Sequence, residues 1–102
     1  MKTLSLFTAV LLLCTGSIFA QVAINSDGSV PHPSAGLDVN FADKGLLIPR
    51  ISLVNTTSAA PVISPVISLL VYNTATTADV NPGFYYWSGT AWVRLSVNGG
   101  GS

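Results

Sequence analysis

The sequence predicts a small all-β module of short strands and extended loops that ends in an aromatic β-hairpin, after a cleavable N-terminal signal helix. Two observations support this fold class, and a third, the low charge, calls for a membrane, a partner surface or a polar uncharged exterior. After residue 20, short apolar runs alternate with turn-rich joints and no helical period appears. Segment 83–95, GFYYWSGTAWVRL, holds five of the nine aromatic residues around one Gly-containing turn. Only 8% of residues are charged, against about 25% in ordinary soluble domains.

The first twenty residues have the three-part pattern of a secretory signal peptide. Met1-Lys2 is a short basic start, residues 4–13 are an almost unbroken apolar run, and small residues lead to an expected cleavage site after Ala20. The run is shorter than the about 20 residues of a membrane span, and Leu13 before Cys14 argues against a lipoprotein signal. We therefore expect export by the signal peptide to the cell surface or the medium, with no membrane span after cleavage.

The composition of the predicted mature chain limits its cofactors and partners. Cleavage would remove the single cysteine, so no disulfide is available. One His without cysteine excludes a zinc site, and we expect no cofactor. A formal charge of zero gives no basic patch for nucleic acid. A domain this small is only marginally stable without disulfides or a metal, so oligomerisation is the remaining source of stability. We expect a signal peptide at 1–20, a β-rich module at 21–97 and a flexible Gly-rich tail or linker at 98–102.

The first predicted strands are Val22–Ile24 and Leu37–Asn40, because both are short apolar runs bounded by turn residues. The residues NSDG at 25–28 favour a turn. Two prolines keep residues 30–35 extended rather than helical.

The middle of the chain contains two further strand candidates. Leu46–Leu53 is apolar but interrupted by Pro49, which predicts an edge or kinked strand. The exact repeat PVIS-PVIS at 61–68 predicts an extended approach into Ile67–Asn73, the best candidate for a buried strand. Since residues 51–78 carry no charge, this strand would be an aggregation hazard at a free edge. It must be covered by its own chain or by another.

The hairpin is the candidate functional site, and alternation along its strands predicts two faces. With a two-residue turn at Ser88-Gly89, Trp87 pairs with Thr90 and Tyr85 with Trp92. The candidate binding face then carries Tyr85, Trp87, Trp92 and Arg94. The predicted apolar core face carries Phe84, Tyr86, Ala91, Val93 and Leu95. A three-residue loop would change this pairing, because a slip of one residue moves every side chain to the other face. The binding face either stacks on a surface glycan or packs within the core or between chains, and packing is favoured.

Other constellations of polar residues have simpler explanations. His32, Ser34 and Asp38 are close in sequence, but a Pro-flanked His in an extended loop offers neither a fixed base nor an oxyanion site. The segment 25–29 resembles part of a calcium loop but lacks ligands at the required spacing. We therefore expect no catalytic residue, no metal site and no enzymatic activity.

The sequence resembles the N-terminal module of a family of secreted Gram-negative bacterial proteins related to tail-fibre and surface-fibre proteins. The matching pieces, in order, are 22–25, 33–35, 37–39, 44–50, 70–74, 84–86 and 89–93. Two features depart from the family pattern: Ser88 stands where Asn is common before Gly89, and the repeat at 61–68 replaces a more polar link. The resemblance identifies 21–97 as a tail-fibre-like module.

The resemblance implies extracellular display and fibre-like, trimeric assembly, with partners that are further copies of the chain or downstream fibre domains. It brings no catalytic residues. The leading hypothesis is therefore a non-enzymatic structural or adhesive module of a fibre-like protein. The alternative is a carbohydrate-binding module that uses the aromatic hairpin face.

Overall fold

A computed structural model describes residues 20–96 of the chain. The chain divides into two compact units, Met1–Leu46 and Leu47–Ser102. We call their described parts, residues 20–46 and 47–96, the first region and the second region. The described residues contain β-strands and no helix, which confirms the predicted all-β class. The predicted signal helix and the Gly-rich tail lie outside the described residues.

The first region contains one pair of parallel strands. Strand β1 (Val22–Asn25) pairs with β2 (Leu37–Asn40), and Val22 lies opposite Leu37. After β1, the amide of Gly28 donates to Asn25 Oδ1 over 2.8 Å, and Gly28 has a φ of 78°. This side-chain-closed bend agrees with the predicted turn, because Gly adopts a left-handed φ without a steric penalty. No side chain described in this region is buried.

The second region contains a four-stranded mixed sheet. Its strands are β3 (Arg50–Ile51), β4 (Leu70–Asn73), β5 (Gly83–Trp87) and β6 (Trp92–Arg94), and the order across the sheet follows the chain. Strand β3 is parallel to β4, and the other pairs are antiparallel. Strand β3 lies at the edge, as the adjacent Pro49 predicts.

The core of the second region is small and lies on one side of this sheet. Its members are Leu53, Val71, Asn73, Val80, Tyr85, Trp87 and Trp92. The polar member, Asn73, is fully bonded: its Oδ1 accepts from the amides of Leu53 (2.9 Å) and Ala75 (3.0 Å). Its Nδ2 donates to the carbonyls of Ala75 (3.0 Å) and Asn81 (2.9 Å). Asn73 therefore attaches the loops before β4 and after β4 to the end of that strand.

Two strand boundaries differ from the prediction. The run Ile67–Asn73 is a strand only from Leu70, and the repeat before it forms turns and bends instead of an extended approach. Ser64 and Ser68, the last residues of its two copies, have φ of 50° and 76°. An extended segment requires a negative φ, so these left-handed residues interrupt it. Of the run Leu46–Leu53, only Arg50–Ile51 pairs with a neighbouring strand.

Candidate functional site: the aromatic hairpin

The hairpin β5–β6 forms as predicted, but its loop is longer. Trp87 pairs with Trp92, so the loop is 88–91 rather than a two-residue turn. The amide of Ser88 donates to the carbonyl of Ala91 over 2.9 Å, and Ser88 Oγ accepts from the amide of Ala91 over 3.1 Å. The loop is two residues longer than predicted, so each residue of β5 pairs with a residue two positions further along β6 than expected. The side chains therefore share the faces that alternation predicted.

The face with Trp87 and Trp92 points into the core. The two indole rings meet edge to face with centroids 5.1 Å apart, a favoured aromatic geometry. Trp92 is 2% exposed, and its Nε1 donates to the carbonyl of Ser58 over 2.9 Å. Its backbone amide donates to the carbonyl of Thr56 over 2.8 Å. The loop between β3 and β4 is thus bonded to both the ring and the backbone of Trp92.

Tyr85 and Arg94 form the polar end of the same face. The guanidinium of Arg94 donates to the carbonyls of Pro82 (2.9 Å) and Asn81 (3.2 Å), and to the Tyr85 hydroxyl (3.3 Å). Its Cζ lies 5.7 Å from the centroid of the Tyr85 ring. Gly83 permits this approach, since a Cβ there would lie 2.7 Å from a guanidinium nitrogen. The cation of Arg94 is therefore committed to contacts within its own chain.

The prediction of which hairpin face forms the core was wrong. Of the candidate binding residues, Tyr85, Trp87 and Trp92 are buried, and only Arg94 is exposed. The predicted core face instead points outward. Both faces are apolar, so alternation separates them without indicating which one is covered. Segments carrying Leu53, Ala59 and Val80 cover the tryptophan face, and they also supply carbonyls for the indole and guanidinium N–H groups. The burial favours packing over ligand stacking as the role of these rings.

The outward face continues from the hairpin onto β4. On the edge strand, the exposed Arg50 pairs with Tyr72 and lies on the same side of the sheet. Of the apolar side chains, one row across the strands contains Leu70, Tyr86 and Val93, and the next contains Tyr72, Phe84 and Leu95. Each of these six side chains is exposed or half-buried. The rings of Tyr72 and Phe84 meet edge to face at a centroid distance of 5.1 Å. The structure therefore presents a contiguous apolar surface, which we call the outward face.

The His32 cluster forms a loop contact rather than a catalytic arrangement. His32 Nδ1 lies 2.7 Å from Ser34 Oγ and also accepts from the Ser34 amide over 3.1 Å. Asp38 Oδ2 accepts from the backbone amide of His32 over 2.9 Å, so this bond does not orient the imidazole. A triad requires a carboxylate that holds the ring of the base. These contacts shape the turn between β1 and β2.

Two carboxylates have lowered pKa values for local reasons. The hydroxyl and then the amide of Thr56 bond to Asp79 and lower its pKa. The amide and then the hydroxyl of Ser29 do the same for the pKa of Asp27. In both cases the hydrogen bonds are stronger to the charged carboxylate than to the protonated acid, so they stabilise the charged form and lower the pKa. Within residues 20–96, no group of three His, Cys, Asp or Glu side chains could hold a metal ion.

The first region also has an open cavity of about 460 Å³, lined by Gln21, Val30, Pro31 and Pro33. The Gln21 amide nitrogen lies within 2.8–3.1 Å of the carbonyls of residues 32, 33 and 35. The side-chain amide of Gln21, the polar group that lines the cavity, therefore already has hydrogen-bond partners within the chain. Among the residues that the structure describes, no helix is long and apolar enough to cross a membrane.

Comparison with protein families identifies the kind of module. The family model described as phage tail like trimerisation region matches residues 23–101, from β1 through β6 and beyond. The chain belongs to this family. The trimerisation region is thus a tail-fibre-like structural module of an oligomer-forming kind, which favours a structural over an enzymatic role. No curated protein and no solved structure matches the chain.

Two features of the trimerisation region were missed by reasoning from the sequence. Leu70 and Tyr72 extend the outward face, which alternation along β4 could have shown, because they lie on the side opposite Val71 and Asn73. The buried role of Asn73 had no local signal. Its partners at Leu53 and Asn81 are brought to it by the fold.

Proposed function

We propose that this protein is a homotrimeric structural module of a fibre-like assembly, exported by its signal peptide and displayed outside the cell, where it contributes to adhesion. The observation that carries the trimer is the state of the first region. It consists of a parallel pair of strands with no buried side chain among its described residues. Parallel sheets are normally covered on both faces, and a two-stranded sheet alone is marginal.

Three of the four exposed side chains of the pair are apolar, where a solvated strand would be polar. Val22, Ile24 and Leu37 are about half exposed. The charge on these strands, Asp38, already accepts a hydrogen bond from the His32 amide, so it adds no bare carboxylate to an interface. Further copies of the chain are the cover that a trimerisation region implies. Burial of such aliphatic side chains contributes about 1.5–3 kcal/mol each at full coverage.

Carbohydrate binding through the hairpin gains no support from the geometry. A stacking platform needs exposed ring faces, whereas three of the four candidate residues are buried and the fourth, Arg94, is bonded within the chain. Export rests on the N-terminal sequence pattern alone. Adhesion rests on the resemblance to surface fibres.

Analytical ultracentrifugation of the protein purified after export tests the trimer directly. We expect a sedimenting mass of three chains for the native protein, a shift toward monomer for Ile24→Lys, and a trimer for the control Val30→Lys. Both substitutions replace an exposed β-branched residue of the first region, but Val30 lies outside the strands. A folded native monomer over the whole accessible concentration range would overturn the proposal.

A further inference from the structure

The composition of the outward face differs from that of an ordinary solvated sheet. In antiparallel sheets with one covered face, the other face is commonly polar. Here the six positions on β4–β6 and at Leu95 hold three aromatic and three aliphatic side chains, and their polar atoms are the Tyr72 and Tyr86 hydroxyls. Leu95, with half of its surface exposed (51%), and Phe84 (46%) are among the larger apolar groups left open. An open apolar surface of this kind marks an interaction site.

Membership of a trimerisation family points to copies of the same chain as the occupant of the outward face, and the uncharged centre of that face agrees with such an occupant. Near a rotation axis each side chain meets its own copies, so any charged residue there would face like charges. None of the six side chains is charged. In the described strands of this sheet, the cations are Arg50 and Arg94. Arg50 pairs with Tyr72 and therefore lies on the outward side at the edge strand, whereas the Arg94 guanidinium bonds to the covered side. A symmetric assembly with the edge strand β3 away from the axis can therefore bring these six side chains of three copies together without placing like charges at the axis.

The outward face is also ordered in advance of any contact. The edge-to-face pair of Tyr72 and Phe84 holds two of its rings against each other. Their strands are anchored from beneath by Val71 and Tyr85, which are buried. Rigid aromatic side chains lose little conformational entropy on association and are enriched at interface cores.

We infer that the outward face of the second region is a contact surface between the copies of the trimer, in addition to the first region. This inference rests on the proposed trimer and assigns it a specific surface. Leu70, Phe84 and Val93 lie centrally on that surface, in adjacent strands.

Charge-insertion variants of the exported protein test the assignment. We expect Phe84→Lys and Val93→Lys to raise the concentration at half-assembly by about tenfold or more, the change that a loss of about 1.4 kcal/mol of association free energy gives. The matched control is Ile63→Lys, because Ile63 is 91% exposed and lies in a loop outside the sheet. Sedimentation gives the mass, and the fluorescence of Trp87 and Trp92 reports whether each variant is folded.

A cross-linking arm covers the case in which a lysine variant fails to fold. In a Cys14→Ser background the introduced thiol is the single one of the chain. Oxidation of the Val93→Cys variant should yield disulfide-linked pairs of chains, and oxidation of Ile63→Cys should not. Trimeric, folded lysine variants without linked Val93→Cys pairs would overturn the surface but leave the trimer intact. Equal disruption by Ile63→Lys would also overturn the surface. A monomeric native protein would instead overturn the proposed function.

Discussion

Both regions have a strand that ends in an asparagine whose side chain bonds to the following loop, but the bonds reach different distances along the chain. Strand β1 ends at Asn25 and β4 ends at Asn73, and each Asn side chain bonds to the loop that follows its strand. The bonds of Asn25 reach only residues 28 and 29. Those of Asn73 also reach Leu53 and Asn81, which lie 20 and 8 residues away in the chain. The bonds of Asn25 therefore define a single loop, whereas those of Asn73 hold two loops around the core.

This difference shows what separates local order from stability. Hydrogen bonds within a few residues define a turn, but their net contribution is about 1 kcal/mol each, and unfolded segments can form them as well. Burial of apolar surface supplies the main favourable term, and all buried side chains among the described residues lie in the second region. We therefore expect the second region to fold within one chain and the first to depend on assembly.

The largest expected effect contrasts one core residue with one strand residue of the first region. Trp92→Ala should lower the free energy of unfolding by about 3–5 kcal/mol, because it opens a cavity and leaves the carbonyl of Ser58 without its indole donor. Ile24→Ala should change it by less than about 1 kcal/mol at concentrations too low for assembly, since that side chain is not buried. Urea titrations followed by the fluorescence of Trp87 measure both. Similar losses for the two variants would show that the first region is stable in the single chain.

The second contrast uses the paired asparagines. Asn73→Ala removes the partners of two amides and two carbonyls around the core, so we expect a loss of about 2–4 kcal/mol. Asn25→Ala affects only exposed groups that water can satisfy, and the expected change is about 0.5 kcal/mol or less. The same urea titration applies, with Asn81→Ala as a control that keeps the backbone carbonyl bonded to Asn73. A loss below 1 kcal/mol for Asn73→Ala would contradict its role in closing the core.

Local sequence patterns were enough to predict β1, β2 and the hairpin. Each is a short apolar run next to a turn whose residues, such as Asn25 and Gly28, act within a few positions. The side chains that share a hairpin face also followed from alternation, despite a loop two residues longer than predicted. All-β content followed from the same runs and from the lack of a helical period.

Non-local contacts explain what could not be predicted. The parallel pairing of β3 with β4 joins Ile51 to Asn73, and no neighbouring residue signals it. Whether the tryptophan face or the outward face is covered depends on where the loops 52–69 and 74–82 lie. Both faces have large apolar side chains, so the contacts of Trp92 with Thr56 and Ser58 decide it. Alternation along the strands defines the two faces of the hairpin, but tertiary contacts determine which face is buried.

The smallest expected effect compares two carboxylates by pH. The pKa of Asp79 and that of Asp27 are lowered, so any stability they add is present above the unfolded pKa of about 3.9 and is lost as pH falls through the lower folded value. The bonds of Asp79 to Thr56 span 23 residues and require the fold. Those of Asp27 to Ser29 span two residues and can persist in the unfolded chain, which reduces their effect.

Asp79→Asn should therefore flatten the acid decline in stability, and Asp27→Asn should leave it as in the native protein. Urea midpoints measured from pH 5 to pH 2.5 compare the two variants across the titration. Because both carboxylates are exposed, screening by salt keeps the Asp79 effect small. An equal flattening by Asp27→Asn would mean that the turn after β1 forms only in the folded chain. The first region would then contribute to folding before any copy joins it, and the contrast between the two regions would not hold.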